Sequence, residues 1–218
     1  MSFLIRDFNK FCDEYKKYLK TCDDELYSIC NKRKAINEKN ISTKIMIVNG
    51  AYSAGLLRGT KESYVDITDH IINHKKEIKN ILDFKKCPNP VTDYDKFLEV
   101  IIGRHYEFTL LLRKSVGKDS RSFVSKYMHF HNPYVPIYDG YVIKALTYKT
   151  FGVQLKKTKG LDLPIPRDEQ YGDYCNRFYR LYRHLEKKGL SNLNVRTLDY
   201  YLWRIVKKSP VERAMTTK

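Results

Sequence analysis

RSFVSKYMHFHNPYVPIYDGYVIKAL, residues 121–146, reads as helix, elbow and helix. Its first ten residues interleave Phe123, Val124, Tyr127, Met128 and Phe130 with polar side chains. Wound as a helix, the segment brings Ser122, Ser125, Lys126 and His129 onto one face, at i, i+3, i+4 and i+7. Pro133 and Pro136 then interrupt regular structure, and Asp139 stands directly before the apolar run GYVIKAL. An aspartate so placed is a helix N-cap, accepting hydrogen bonds from the first free amides. Two readings stay open. Either the elbow is a stiff turn whose aspartate only caps, or it holds an ionised carboxylate where a developing cation or an attacking water needs it. The polar stripe is likewise a solvated face or one wall of a site that Asp139 shares.

Helical periodicity extends outward in both directions. Phe3, Phe8, Phe11, Tyr15 and Tyr18 predict a long amphipathic helix, and a second spans about 24–36. STKIMIVNGAYSAGLL, from Ser42, is more apolar and predicts a buried third helix; residues 66–82 predict another helix or a broken pair. KKCPNPVTDYD is a proline-marked loop before the helices KFLEVIIGR and YEFTLLLRKSV, which GKDS separates from the 121–130 helix. A basic loop over 152–167 precedes DYCNRFYRLYRHLEKK and VRTLDYYLWRIVKK, two helices joined by GLSNLN. With no alternating run long enough for a sheet and no internal repeat, the fold class is all-α. The expected organisation is a single two-lobed unit, one lobe from 1–40 with 152–218 and the other from 41–151.

Charge narrows the function classes. The 218 residues carry 41 Lys+Arg against 25 Asp+Glu, a formal net charge of +16. That excess favours a polyanionic partner, nucleic acid first. No apolar run approaches the ~20 residues of a membrane span, and the acidic, amphipathic N-terminus is unlike a signal peptide. Five scattered cysteines without a CxxC pair fit a reduced, cytoplasmic setting rather than a disulfide or zinc framework. The pairs His70/His74 and His129/His131 lack a third ligand at a recognisable spacing, so no metal is expected.

PIYDGYVIKAL is similar to the PxDxHVxR-like segment of the helix-hairpin-helix DNA glycosylases, the superfamily that includes endonuclease III. SFVSKYMHFHNPYVPIYD also resembles a segment of bacterial proteins distantly related to it. In that superfamily a catalytic aspartate opens a helix shortly after a hairpin of the form LPGVGxKTA. Aligned through Asp139, the hairpin falls on VGKDSRSF, residues 116–123, with Val116 and Gly117 as a remnant of its turn. About thirty residues carry the motif-level similarity, within a helical order covering 42–150. The chain departs from the pattern in its glycines, in Tyr141 where histidine is usual, and in lacking the cysteine cluster of the iron–sulfur members. No cofactor is implied.

The resemblance implies a two-lobed helical enzyme that flips a base out of double-stranded DNA and excises it. Asp139 would be its catalytic carboxylate, with Lys126 beside it. The pocket would be built from Asn49, Tyr52, Ser122, His129 and Tyr141. The lyase lysine of bifunctional members falls on Arg121, eighteen residues before Asp139, and a guanidinium stays protonated and forms no Schiff base. A monofunctional enzyme follows, unless Lys118 or Lys126 is recruited. For DNA contacts the candidates are Lys118 and Arg121, with Arg177, Arg180, Arg183 and Lys187 on one face of the penultimate helix, where Tyr179 and Tyr182 interleave. The basic loop adds Lys156, Lys157 and Lys159. A monomer is expected. The rival reading is a binding module on the same fold, with Asp139 buried beneath Tyr138 and Tyr141 instead of facing a pocket.

Overall fold

The computed structural model describes residues 2–32, 38–90, 92–147, 168–190 and 192–207. Within them the protein is all-α, without strands. The helices are α1 (Ser2–Tyr18), α2 (Lys20–Lys32), α3 (Glu38–Ala51), α4 (Tyr64–Asn73), α5 (Lys75–Ile81), α6 (Tyr94–Val116), α7 (Arg121–His131), α8 (Gly140–Ala145), α9 (Glu169–Glu186) and α10 (Val195–Lys207). The loop expected over 152–167, with its three lysines, lies outside the described residues.

α7 is the centre of the molecule. α2, α3 and α6 pack around it, and every residue from Phe123 to Phe130 is buried. The polar stripe is therefore not a solvated face. Spacing correctly groups Ser122, Ser125, Lys126 and His129, but helices cover that side as well, so each polar group needs an internal partner. α9 lies against α6, while α10 closes the bundle against α8 and α1.

Several expected boundaries shift for local reasons. The span 66–82 is a broken pair, interrupted at His74, and α4 opens with a reciprocal capping box between Ser63 and Asp66. KFLEVIIGR and YEFTLLLRKSV form the single helix α6, because Gly103 in its middle interrupts nothing. α6 ends where Gly117 takes a left-handed conformation and its amide donates to the Arg113 carbonyl. The third helix stops at Ala51 instead of running through SAGLL, since Ser53 and Gly55 both have positive φ, 48° and 68°. That early stop creates the irregular 52–63 segment. Lys118, from the α6–α7 turn, donates to the carbonyls of Gly55 and Arg58 and so ties the segment to the start of α7.

Candidate functional site

The elbow after α7 is held by its carbonyls. Tyr179 donates to the Tyr134 carbonyl, His129 Nδ1 to Val135 (2.7 Å), Tyr171 to Pro136 (2.8 Å) and Tyr174 to Ile137. The four accepting carbonyls are consecutive. Three of the donors come from one helix, α9, and all four are buried. Ser125 Oγ accepts from the Tyr138 amide, and the Asn132 side chain accepts from the Tyr134 amide. Pro133 and Pro136 limit backbone freedom between these anchors. A segment so fastened delivers the next side chain to one place, as a preorganised group requires. That side chain is Asp139.

Asp139 caps α8 by accepting from the Tyr141 amide at 2.9 Å. Its other oxygen lies 3.6 Å from Lys126 Nζ, and its side chain keeps 22% exposure. Lys126 is only 4% exposed; its ammonium also donates to the Tyr52 carbonyl (2.9 Å) and Ser122 Oγ (3.0 Å). Burial lowers the Lys126 pKa, and the Asp139 carboxylate works against that shift.

Behind this pair lies a second charged cluster. The Arg196 guanidinium grips Asp23 through Nε (2.8 Å) and Nη2 (3.0 Å), and its Nη1 reaches Asp199 (3.0 Å). Tyr15 and Tyr52 donate to the same Asp23 carboxylate, at 2.7 and 2.6 Å. Arg196 also lies over the Tyr200 ring, 3.7 Å from its centroid. Burial opposes ionisation of Asp23, but Arg196 and the two phenols outweigh it and hold the carboxyl below its ordinary range. Asp199 has one ion-pair bond for the same burial, and it is pushed up to about 7.

Two adjoining cavities, about 640 and 580 Å³, open beside Asp139 and share Ser53, Arg58, Asp139 and Tyr141 in their walls. Their size suits a nucleoside-sized ligand. The first reaches Ser122 and Lys144; the second reaches Tyr52, Lys126, Asp199 and Trp203. At the mouth Trp203 and Tyr141, 39% and 42% exposed, meet edge to face, with Lys207 Nζ 4.5 Å from the Tyr141 centroid. Exposed aromatic rings beside Arg58, Lys144 and Lys207 form a stacking surface bordered by cations.

Four of the residues expected around Asp139, namely Lys126, Tyr52, Ser122 and Tyr141, line these cavities. Asn49 and His129 line neither. Asn49 is structural, donating to the Tyr64 hydroxyl and accepting from the Leu56 amide. His129 is wholly buried; with Nδ1 donating to Val135, Nε2 accepts from the Tyr27 hydroxyl, and burial holds the ring neutral.

Of the DNA-contact candidates, Lys118 is spent on two carbonyls and Arg121 on Asp168 and Asp119. Arg177 is 7% exposed and paired with Asp173, so it stands apart from the exposed Arg180, Arg183 and Lys187. Tyr179 clamps the elbow and tracks no phosphate. The His70/His74 pair is turned to carbonyls, Nε2 of His70 to Leu111 and Nδ1 of His74 to His70. Among the described residues, no three histidine, cysteine or acidic side chains are grouped to hold a metal, and no helix is long and apolar enough to cross a membrane.

Sequence reasoning missed Asp23, Arg58, Asp199, Arg196 and Trp203. A signal existed for two of them. Arg196 and Asp199 fall three apart among Val195, Leu198 and Leu202, a charged pair on an apolar helix face. No protein-family model, curated protein or solved structure shows significant similarity to this chain.

The buried titratable groups set a pH dependence. Burial lowers His105 to about 4 and His129 and His131 to about 3, so folding excludes protons these rings bind when unfolded, near pH 6.5. Their contribution is present above pH 6.5 and is lost as pH falls toward those folded values. Asp199 acts oppositely, because its raised pKa means the folded state holds a proton between about 4 and 7. Near pH 5 unfolding therefore takes up about two protons net, and stability should fall by roughly 3 kcal/mol per pH unit. Urea midpoints at pH 6.5, 5.5 and 5.0 measure this; an unchanged or rising midpoint would contradict it.

Proposed function

We propose that this protein is a DNA glycosylase-like enzyme of helix-hairpin-helix type, excising a base from double-stranded DNA with Asp139 as its catalytic carboxylate. The observation that carries the reading is the clamped elbow, which presents Asp139 to a nucleoside-sized cleft with aromatic and cationic walls. A binding module has no need to keep that carboxylate open to a cavity. The order of parts supports the reading too. A left-handed turn at Gly117, helix α7, the elbow and an aspartate-capped α8 follow one another as the family's hairpin, helix and capped helix do. The net charge of +16 suits the DNA backbone.

In this mechanism the extruded nucleotide enters between Tyr141, Trp203 and Tyr52. As the N-glycosidic bond lengthens, cationic character grows on the sugar, and the fixed Asp139 carboxylate stabilises it. Lys126 is a positioning residue; it holds Asp139 while anchored to Tyr52 and Ser122. The test is incubation with a panel of duplex DNAs carrying modified or damaged bases, with mass spectrometry for released base. Binding without release from any of them would favour the non-catalytic module.

The product should be an intact abasic strand. Arg121 forms no Schiff base, and the Lys126 ammonium is occupied by a carbonyl, a hydroxyl and a carboxylate. Borohydride should trap no covalent DNA adduct. An adduct that disappears in Lys126→Ala would instead make Lys126 a nucleophile.

A further inference from the structure

We infer that the two cavities beside Asp139 hold two adjacent nucleotides of one DNA strand, and that Arg58, on the wall between them, grips the phosphodiester joining the two. The choice of DNA as ligand rests on the glycosylase reading above; the site grows from one extruded nucleotide to two. Of the residues shared by both cavities, Ser53, Arg58, Asp139 and Tyr141, Arg58 alone is cationic. Each cavity also has its own aromatic surface for a base, Tyr138 and Tyr141 in the first, Tyr52 and Trp203 in the second. A strand with one base in each carries its linking phosphate past the shared wall.

The charges of the walls single out the same residue. In the first cavity Arg58, Lys118, Arg121 and Lys144 face Asp119 and Asp139; in the second Arg58, Lys126, Arg196 and Lys207 face Asp139 and Asp199. Each carboxylate already has its cation. Asp119 pairs with Arg121 (3.1 Å), Asp139 with Lys126 (3.6 Å) and Asp199 with Arg196 (3.0 Å). Lys118 is turned to carbonyls, Lys207 lies over the Tyr141 ring, and the exposed Lys144 borders only the first cavity. The exposed Arg58 side chain has no hydrogen bond or ion pair among the described residues. A guanidinium fork without a carboxylate matches the paired oxygens of a phosphate. A phosphodiester arriving beside Asp139 also needs a countercharge there, which Arg58 supplies.

The backbone that carries Arg58 is fixed. Its amide donates to the Gly55 carbonyl (3.2 Å), closing a tight turn, and Lys118 Nζ holds the carbonyls at both ends of that turn. Inside the turn, Leu56 is wholly buried and its amide donates to Asn49 (2.8 Å). Gly55 has a φ of 68°, a conformation that favours glycine. The guanidinium folds back over it, with Cζ 3.8 Å from where a β-carbon would stand. Asn49 and Lys118, expected to touch base and backbone, instead hold the turn that aims Arg58.

Trp203 is the only tryptophan of the chain and lines the second cavity, so its fluorescence reports occupancy there. The experiment titrates the protein with the dinucleotides d(TpT) and d(ApA), their uncharged methylphosphonate counterparts, and the corresponding nucleoside monophosphates. At least one dinucleotide should bind about tenfold more tightly than its uncharged counterpart, as a charge-assisted phosphate contact requires, and more tightly than its monophosphate. Arg58→Gln should remove that tenfold advantage while leaving the uncharged dinucleotide unaffected, and Arg58→Lys should keep part of it. Circular dichroism checks the fold of both variants, and should they fail to fold, the charged and uncharged probes on the wild-type protein decide. Equal affinity for the two, equal weakening of both by Arg58→Gln, a monophosphate binding as tightly as its dinucleotide, or no quenching by any probe at millimolar concentration would overturn the two-nucleotide site. Base release is read separately from the lesion-bearing duplexes. Charge-dependent dinucleotide binding without release from any of them would remove the glycosylase and keep this site; release with equal affinity for charged and uncharged probes would do the reverse.

Discussion

Asp139→Asn should abolish most base release, by about 10²- to 10³-fold, while the protein stays folded. The two effects separate because Asp139, as proposed, has a catalytic job beside its capping one. As a cap it needs one oxygen to accept from the Tyr141 amide, and asparagine caps about as well as aspartate. As a charge it has no substitute beside the developing sugar cation. Lys126 loses its carboxylate neighbour but keeps Tyr52 and Ser122, and burial already favours its neutral form, so it can shed a proton. The stability loss should be about 1 kcal/mol, within the usual range for an altered cap. Parallel measurement of release rate and urea midpoint decides. If stability and activity fall together, the elbow serves only to cap; undiminished release removes Asp139 from the chemistry.

The parts of the site that are legible in sequence depend on neighbours along the chain. Asp139 as an N-cap follows from the apolar run behind it, and the α6–α7 break follows from GKDS. The grouping of Ser122, Lys126 and His129 on one side of α7 follows from helical period alone. What faces that side does not. Lys126 meets Tyr52 and Asp139 at the cleft, whereas His129, one turn on, meets Tyr27 and Val135 in the core. The tyrosine clamp has the same character. Tyr171, Tyr174 and Tyr179 show an amphipathic helix, but that their hydroxyls reach carbonyls 35 to 45 residues away is a tertiary fact. The 173-residue separation of Asp23 from Arg196 left the former as an ordinary helix residue in the sequence.

Arg196→Met should cost about 3–5 kcal/mol, the range for removing one partner from a buried ion pair. The Arg196 side chain is 5% exposed, and its guanidinium supplies two bonds to Asp23 and one to Asp199. Methionine fills much of the volume against Tyr200 and Tyr52, so the loss comes from charge rather than from a cavity. Without Arg196, Asp23 keeps only its two phenol bonds, and burial drives it toward its protonated form. Stability lost by the variant should then return partly as pH falls toward 5, against the downward trend of wild type over the same interval. Arg196→Met combined with Asp23→Asn should recover much of the loss at neutral pH, because the stranded charge has gone while one tyrosine hydroxyl keeps an acceptor and the other can accept from the new amide. The cycle of single and double variants, read from urea midpoints at pH 7, should therefore be strongly non-additive. Losses that simply add, or an Arg196→Met loss below about 1 kcal/mol as at exposed pairs, would mean that water screens this cluster.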